Sequence, residues 1–161
     1  MAATILFVCT GNLCRSPMAE AIFRTLLQID GRDNLYGARS AGTWTMDGQS
    51  ASALAVQAMK EMGLDITAHR THHLTNQDVD RASLVVVMGR DHKEALLAEI
   101  PQAREKIVLL SELAGESHDI SDPYGSNSLQ LYRECASEID RLLRKGYSRI
   151  LELAGMEKGE G

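Results

Sequence analysis

The chain has 161 residues, of which 44% are hydrophobic and 24% charged, and its formal net charge is −5. The length fits one domain, and the composition is ordinary for a globular protein. The acidic charge argues against nucleic-acid partners, because proteins that bind the phosphate backbone need clustered positive charge. A single loop could still be locally positive and bind a small anion.

The cysteines indicate a reducing compartment. There are three, Cys9, Cys14 and Cys135, an odd number without the spacing of a disulfide framework. The first apolar run spans only residues 4–8, which is too short for a signal sequence or a membrane span. We therefore expect a cytoplasmic protein with no membrane partner. The sequence gives no indication of its oligomeric state.

Strand and helix patterns alternate along the chain. Apolar, β-rich runs predict four strands, at residues 4–8, 35–40, 83–88 and 106–110, and the first and third are continuous, as in strands buried on both faces. Helical patterns occupy residues 17–27, 50–62, 90–99 and 129–144. Ser16 is the expected N-cap of the first helix with Pro17 at its first position, and Gly63 is expected just after the second.

This alternation predicts a single doubly wound α/β domain with a parallel sheet and helices on both faces. We assign residues 1–154 to the domain and residues 155–161 to a flexible C-terminal tail. The longest stretch without a predicted element runs from residue 114 to 128, and such loops are often functional.

A candidate phosphate-binding loop follows the first strand, with the sequence CTGNLCRSP from Cys9 to Pro17. At the carboxyl end of a strand and before a helix, its backbone N–H groups can surround an anion, and Arg15 can bind two phosphoryl oxygens at once. We expect Gly11 to supply conformational freedom and Asn12 to tolerate a left-handed backbone. The expected phosphate-binding residues are Thr10, Gly11, Asn12, Leu13, Cys14 and Arg15.

The loop lacks the second glycine and the lysine of a nucleotide-binding P-loop, and it begins with a cysteine instead. The helix dipole, the inward amides and Arg15 all favour a thiolate, which can attack a bound phosphoryl group and form a phosphocysteine. Arg15 and the amides can carry the transition-state charge, so no metal or cofactor is required.

The leaving oxygen also needs a proton donor. Asp122 is the candidate, because Pro123 restricts its backbone and stiffens its presentation, and Asp119 is the alternative. By itself, the segment Asp122-Pro123-Tyr124-Gly125 would also fit an ordinary turn.

Other residues have open or structural interpretations. Cys14 could be either a small packed residue or a resolving thiol that protects Cys9 from over-oxidation, and Cys135 is expected in the core. Trp44 could be either a surface anchor or an aromatic wall for a substrate ring. His72 and His73 lack further ligands at a suitable spacing for zinc.

Together, the Cys9–Pro17 loop, Ser40-Ala41-Gly42 and Asp122-Pro123 resemble the low-molecular-weight protein-tyrosine phosphatases over nearly the whole chain. The resemblance implies a four-stranded parallel sheet, no cofactor and a phosphorylated protein or peptide as substrate. It implies Cys9 as nucleophile, Arg15 as phosphate clamp and Asp122 as general acid. It also implies that Asn12, Ser40 and His69 brace the loop, that Ser16 donates to the thiolate, and that Trp44 and Tyr124 flank the substrate.

The resemblance leaves the phosphorylated residue open. Tyrosine-specific members commonly carry isoleucine at the position of Leu13, whereas a similar bacterial branch that acts on phosphoarginine carries threonine there. The apolar Leu13 favours phosphotyrosine, and the single aromatic residue before Gly125 resembles the arginine branch. A thioredoxin-coupled arsenate reductase would need two more cysteines near the third strand, which residues 80–95 do not contain. A non-catalytic phosphate-binding module would not need Cys9 or Asp122.

Overall fold

The computed structural model describes residues 2–159, with the backbone alone for residues 156–159. Its centre is a four-stranded parallel sheet in the order β2-β1-β3-β4. The strands are β1 (Ala3–Cys9), β2 (Tyr36–Gly42), β3 (Leu84–Val87) and β4 (Ile107–Leu109). They match the four predicted runs, with β2 extending two residues further than expected.

Six α-helices and one 3₁₀ helix surround the sheet within the described residues. They are α1 (Arg15–Ile29), α2 (Ala53–Glu61), α3 (Asn76–Arg81), α4 (Arg90–Glu99), α5 (Leu110–Leu113), α6 (Leu129–Gly159) and the 3₁₀ helix Pro101–Lys106. None of these helices is long and apolar enough to cross a membrane.

The side chains of β1 alternate between two hydrophobic cores. Ile5 and Phe7 pack into one core with α1, α2, α5 and α6, and Leu6 and Val8 pack into the other with α3, α4 and the 3₁₀ helix. All four side chains are buried because β1 lies inside the sheet with helices on both faces. The predicted doubly wound architecture is confirmed.

Helix boundaries were predicted less well. The prediction for α4 is correct, whereas α2 begins at Ala53 rather than at residue 50. Gly63 follows α2 with a φ of 81°, as expected of a glycine that ends a helix. The end predicted for the last helix at residue 144 is wrong, because α6 continues to Gly159. Residues 155–159 of the proposed tail therefore continue the helix, and residues 160 and 161 lie outside the described residues.

Ser16 is not the N-cap of α1. The helix begins at Arg15 with Cys14 as N-cap, and no side chain bonds to the first amides of the helix. Pro17 is therefore the third helical residue rather than the first. The Ser16 hydroxyl is engaged elsewhere, and the N–H groups of the first turn have no side-chain cap to satisfy them.

Candidate active site

The loop after β1 forms one wall of a cleft at the carboxyl edge of the sheet, where ligands bind in open α/β folds. The cleft has a volume of about 520 Å³. Its lining residues are Cys9, Thr10, Gly11, Leu13, Cys14, Arg15, Trp44, Thr45, Met46, Gln49, Asp122 and Tyr124. The structure thus brings the predicted nucleophile, clamp, acid and flanking aromatic residues to one cleft.

Asn12 sets the shape of the loop. It is fully buried and has a φ of 57°, in the left-handed region that asparagine tolerates better than most residues. Gly11 does not have a positive φ, so the conformational freedom expected of it is needed at Asn12 instead. The Asn12 backbone oxygen accepts a hydrogen bond from Nε2 of His69 at 2.8 Å, and its Oδ1 accepts one from the N–H of His72 at 2.9 Å.

The hydrogen bonds around Asn12 have a defined direction. The Asn12 Nδ2 group donates to Ser16 Oγ at 2.8 Å and to Ser40 Oγ at 3.0 Å, which uses both of its hydrogens. Since Ser16 Oγ accepts from Asn12, its own hydrogen is free to point at Cys9 Sγ, 2.9 Å away. A hydrogen bond donated to the sulfur stabilises a thiolate.

A carboxylate ends this chain of hydrogen bonds on the other side. Ser40 Oγ donates to Glu20 Oε1 at 2.6 Å, and Glu20 pairs with Arg24 at 2.7 Å. The acceptor at Glu20 fixes the direction of the Ser40 hydroxyl, and so leaves Ser40 Oγ free to accept from Asn12. Glu20 was not predicted from the sequence, although it lies one helical turn after Ser16 and therefore on nearly the same side of α1.

Arg15 joins the phosphate-binding loop to the loop of residues 114–128, which we call the late loop. It is 6% exposed, and its Nη1 donates to the Ile120 carbonyl at 2.9 Å while its Nη2 donates to Asp122 Oδ2 at 3.3 Å. Its Nε, which is also buried, has no hydrogen-bond partner. Because buried polar groups are nearly always bonded, this N–H is a donor available to a ligand in the cleft.

The two acidic candidates of the late loop have different surroundings. Asp122 lines the cleft with its side chain 43% exposed, and its Oδ1 accepts from the Tyr124 N–H at 3.1 Å, which orients the carboxylate. Asp119 does not line this cleft, and its Oδ1 accepts instead from the Arg90 N–H at the start of α4 at 3.0 Å. The structure therefore favours Asp122 over Asp119 as a group that reaches a ligand.

The outer walls of the cleft are apolar and exposed. Trp44 is 81% exposed, Met46 72% and Tyr124 60%, and Leu13 of the loop, which also lines the cleft, is half-buried. The segment that carries Trp44 and Met46 is held by Thr71, which is buried, donates through Oγ1 to the Met46 carbonyl and accepts from the Gln49 N–H. The backbone of this wall segment is therefore held in place before any ligand binds.

The other two cysteines lie in apolar surroundings. Burial raises the pKa of Cys14 to about 12, and its thiol contacts Tyr132 Oη at 3.8 Å. Burial also raises the pKa of Cys135 to about 12, and Cys135 is part of the hydrophobic core. A protonated thiol is a poor nucleophile, so the environment of Cys14 suits the packed residue better than the fast resolving thiol.

Possible metal ligands outside the cleft are already paired. Glu116, His118 and Glu138 approach one another closely enough to hold an ion, but Arg141 bonds both carboxylates and Lys145 bonds Glu116. The positive side chains of Arg141 and Lys145 thus already neutralise the carboxylates that a metal ion would need. His72 and His73 do not share such a cluster within the described residues, and His72 Nε2 bonds Asp78 Oδ2 at 2.8 Å.

Four residues in or beside the cleft were not predicted from the sequence: Met46, Gln49, Glu20 and His92. His92 is buried in α4, and its Nε2 lies 2.8 Å from Thr10 Oγ1. A signal for it does exist in the sequence, because Gly-Arg-Asp-His follows shortly after the buried run of β3, at the sheet edge where ligands bind.

Comparison with known proteins agrees with this fold. Residues 4–153 match the model of the low molecular weight phosphotyrosine protein phosphatase family. A probable low molecular weight protein-tyrosine-phosphatase EpsP from Ralstonia solanacearum is 40% identical over 153 residues, or 95% of this chain and 99% of the relative. A protein-arginine-phosphatase from Bacillus subtilis is 36% identical over 142 residues, or 88% of this chain and 92% of the relative.

The crystal structure of a low molecular weight protein tyrosine phosphatase from T. tengcongensis superimposes with a TM-score of 0.86 at 40% identity, covering 92% of this chain and 99% of the other. The fold is thus that of a phosphoprotein phosphatase. The chain belongs to the low molecular weight phosphotyrosine protein phosphatase family.

Proposed function

We propose that this protein hydrolyses phosphotyrosine in protein substrates through a phosphocysteine on Cys9. The observation that carries the proposal is the cleft itself, in which Cys9 Sγ lies 2.9 Å from the Ser16 hydroxyl, Arg15 and Asp122 face the same space, and the walls above are apolar. The enzyme is proposed to act in the cytoplasm, which the three free cysteines support.

In the first step the Cys9 thiolate attacks phosphorus, forming the P–S bond as the bond from phosphorus to the tyrosine oxygen breaks. The Arg15 guanidinium and the loop N–H groups hold the phosphoryl oxygens. Asp122 donates a proton to the departing phenolate oxygen. Asp122 contacts Arg15 at 3.3 Å, so a phosphoryl group bound by Arg15 competes with this ion pair. Asp122 is then free to donate its proton to the leaving oxygen.

In the second step water attacks phosphorus, and the P–S bond breaks to return the thiolate. Asp122 now takes the proton of the attacking water and regains the form that it needs for the next cycle. Ser16 stabilises the departing sulfur in the same way as it stabilises the attacking one. Phosphate leaves as the second product.

The preference for tyrosine rests on the walls of the cleft. Leu13, Trp44, Met46 and Tyr124 offer apolar area that suits a phenyl ring, and aromatic residues pair favourably with one another. A guanidinium would instead need a carboxylate beside it. Among the lining residues that the structure describes, Asp122 alone has a carboxylate, and the proposed mechanism already uses it as the general acid.

Arginine phosphatase activity is the second candidate. It is supported by the two relatives named as protein-arginine-phosphatases, from Bacillus subtilis and Geobacillus stearothermophilus, each 36% identical to this chain. The experiment compares kcat/KM for one peptide carrying either phosphotyrosine or phosphoarginine.

We expect wild type to prefer the phosphotyrosine peptide. We expect Leu13→Thr to reduce that preference, because threonine offers the substrate ring less apolar surface than leucine. Leu35→Thr is the control, since the exposed Leu35 lies at the amino end of β2, away from the cleft. A wild-type preference for phosphoarginine would overturn the tyrosine assignment and leave the phosphocysteine mechanism standing.

A further inference from the structure

His92 connects α4 to the phosphate loop. It is the third residue of the helix, only 2% of its surface is exposed, and its Nε2 lies 2.8 Å from Oγ1 of Thr10. Thr10 directly follows Cys9 and lines the cleft. A buried histidine is thus bonded to the first residue of the loop that is proposed to bind phosphate.

The protonation of His92 follows from its surroundings. Burial lowers the pKa of the imidazole, the positive charge of Arg15 lowers it further, and Asp91, Asp122 and Asp119 oppose this only in part. The ring is therefore neutral at pH 7 and has one N–H.

The second ring nitrogen decides where that hydrogen lies. Nδ1 is buried without a hydrogen-bond partner, and the nearest carboxylate oxygen, Asp91 Oδ1, is 3.7 Å away, beyond hydrogen-bonding distance. A buried N–H without a partner costs more than a bare acceptor nitrogen. The hydrogen is therefore on Nε2, and His92 donates to Thr10 Oγ1.

The start of α4 is itself held in place. Asp119 accepts from the Arg90 N–H at 3.0 Å, the Arg90 guanidinium donates to Ser117 Oγ at 2.7 Å, and the Ile120 N–H donates to the Met88 carbonyl at 2.9 Å. These contacts fix the turn before His92 against the loop that carries Asp122. His92 is thus a rigid donor, because its helix cannot shift without breaking them.

Thr10 is then held from two directions. Its carbonyl accepts from the Trp44 N–H at 3.0 Å, and its side chain accepts from His92. We propose that His92 is a positioning residue, which holds the Thr10 side chain away from the bound phosphoryl group so that the N–H groups of the loop converge on it. The role rests on the proposed function, since it concerns the same phosphate loop.

The test compares His92→Gln, His92→Asn and His92→Leu. The glutamine amide can place an N–H where Nε2 lies, whereas the asparagine amide reaches only the Nδ1 position. We expect Asn and Leu to weaken binding of inorganic phosphate about tenfold, the size of one lost hydrogen bond, and Gln to restore most of it. Binding is measured by titration calorimetry in a Cys9→Ala background, so it does not depend on turnover.

Kinetics on otherwise unmodified enzyme give a second readout. The loss in kcat/KM for the same variants is expected to be equal for phenyl phosphate and p-nitrophenyl phosphate, because Asp122 is untouched. Thr10→Val is expected to cause the same loss as His92→Leu, and the double variant no further loss. If His92→Leu does not fold, the comparison of Gln with Asn and the Thr10→Val variant still decide the question.

Equal phosphate affinity in wild type, His92→Asn and Thr10→Val would overturn the role of His92. So would equal behaviour of Gln and Asn, or additive losses in the double variant. Failure of the proposed function has a different signature, since wild type would then bind phosphate and hydrolyse neither aryl phosphate.

Discussion

The Ser16 hydroxyl lies 2.9 Å from Cys9 Sγ, and its oxygen accepts a hydrogen bond from Asn12 Nδ2 at 2.8 Å. A thiolate sulfur has no hydrogen, so with Cys9 ionised the Ser16 hydroxyl is the donor, and the bond from Asn12 orients it. A loop residue with left-handed backbone thus helps to position the group that stabilises the proposed nucleophile, although its side chain does not contact the sulfur.

Removing the hydroxyl with Ser16→Ala is expected to lower kcat by about tenfold to a hundredfold, the range for a hydrogen bond to a charged group. Ser40→Ala is the matched comparison, because Ser40 contacts Asn12 and not Cys9. Its loss should be smaller. Steady-state kinetics on an aryl phosphate measure both, and an equal loss would show that Ser16 acts only by supporting the loop.

Removing the proposed acid with Asp122→Ala is expected to reduce kcat/KM for phenyl phosphate, which reports the first step, by about 10²–10⁴-fold, the usual contribution of a general acid. The loss in kcat/KM should be much smaller for p-nitrophenyl phosphate, whose leaving group needs no proton. Asp119→Ala removes a carboxylate from the same loop and should leave the ratio between the substrates unchanged. A larger leaving-group dependence in Asp119→Ala than in Asp122→Ala would reverse the assignment.

The apolar wall makes a separate prediction. Trp44→Ala is expected to raise KM for a phosphotyrosine peptide about tenfold, because the substrate ring loses an aromatic surface, and to leave inhibition by inorganic phosphate unchanged. Leu35→Ala, which removes an exposed apolar side chain at the far end of β2, is the control. A parallel change in phosphate inhibition would mean that Trp44 supports the loop rather than the ring.

The late loop gives a prediction on stability and pH. Hydrogen bonding to Glu116 raises the pKa of His118, so the folded state holds its proton at a higher pH than the unfolded state. This contribution to the free energy of unfolding is fully present below about pH 6.5 and is lost as the pH rises through the folded-state pKa.

In urea unfolding, the free energy of unfolding of wild type should be lower at about pH 9 than at about pH 6, and this decrease should be smaller in His118→Gln. Glu116→Gln should make the decrease smaller as well, because it removes the partner that raises the pKa of His118. The contribution is small, since both side chains are partly exposed. An identical pH dependence in all three proteins would exclude it.

The strands and the phosphate loop were predictable because their signals are local. The apolar run of β1 is continuous because both faces are buried, and the loop has its cysteine, Asn12 and arginine within a few residues. The start of α1 was placed wrongly because serine before proline is a common cap. Here a tertiary contact with Cys9 engages the hydroxyl instead.

Contacts between distant parts of the chain could not be derived from residue spacing. The bond from His69 to Asn12 spans 57 residues and the bond from His92 to Thr10 spans 82, so each depends on how the helices dock on the sheet. His69 was expected only through the family resemblance. The helix α3 was missed because six residues are too few for a periodic signal, although Thr75 and Asp78 form a capping box at its start.

The most direct test of the mechanism is to trap and identify the phosphoenzyme. Asp122→Ala is mixed with p-nitrophenyl phosphate, quenched and mapped by mass spectrometry, since this variant lacks the base for the second step while the leaving group needs no acid. We predict phosphate on the Cys9 sulfur, with Cys14 and Cys135 unmodified and no turnover in Cys9→Ala. Phosphate on another residue, or continued turnover in Cys9→Ala, would contradict the proposed mechanism.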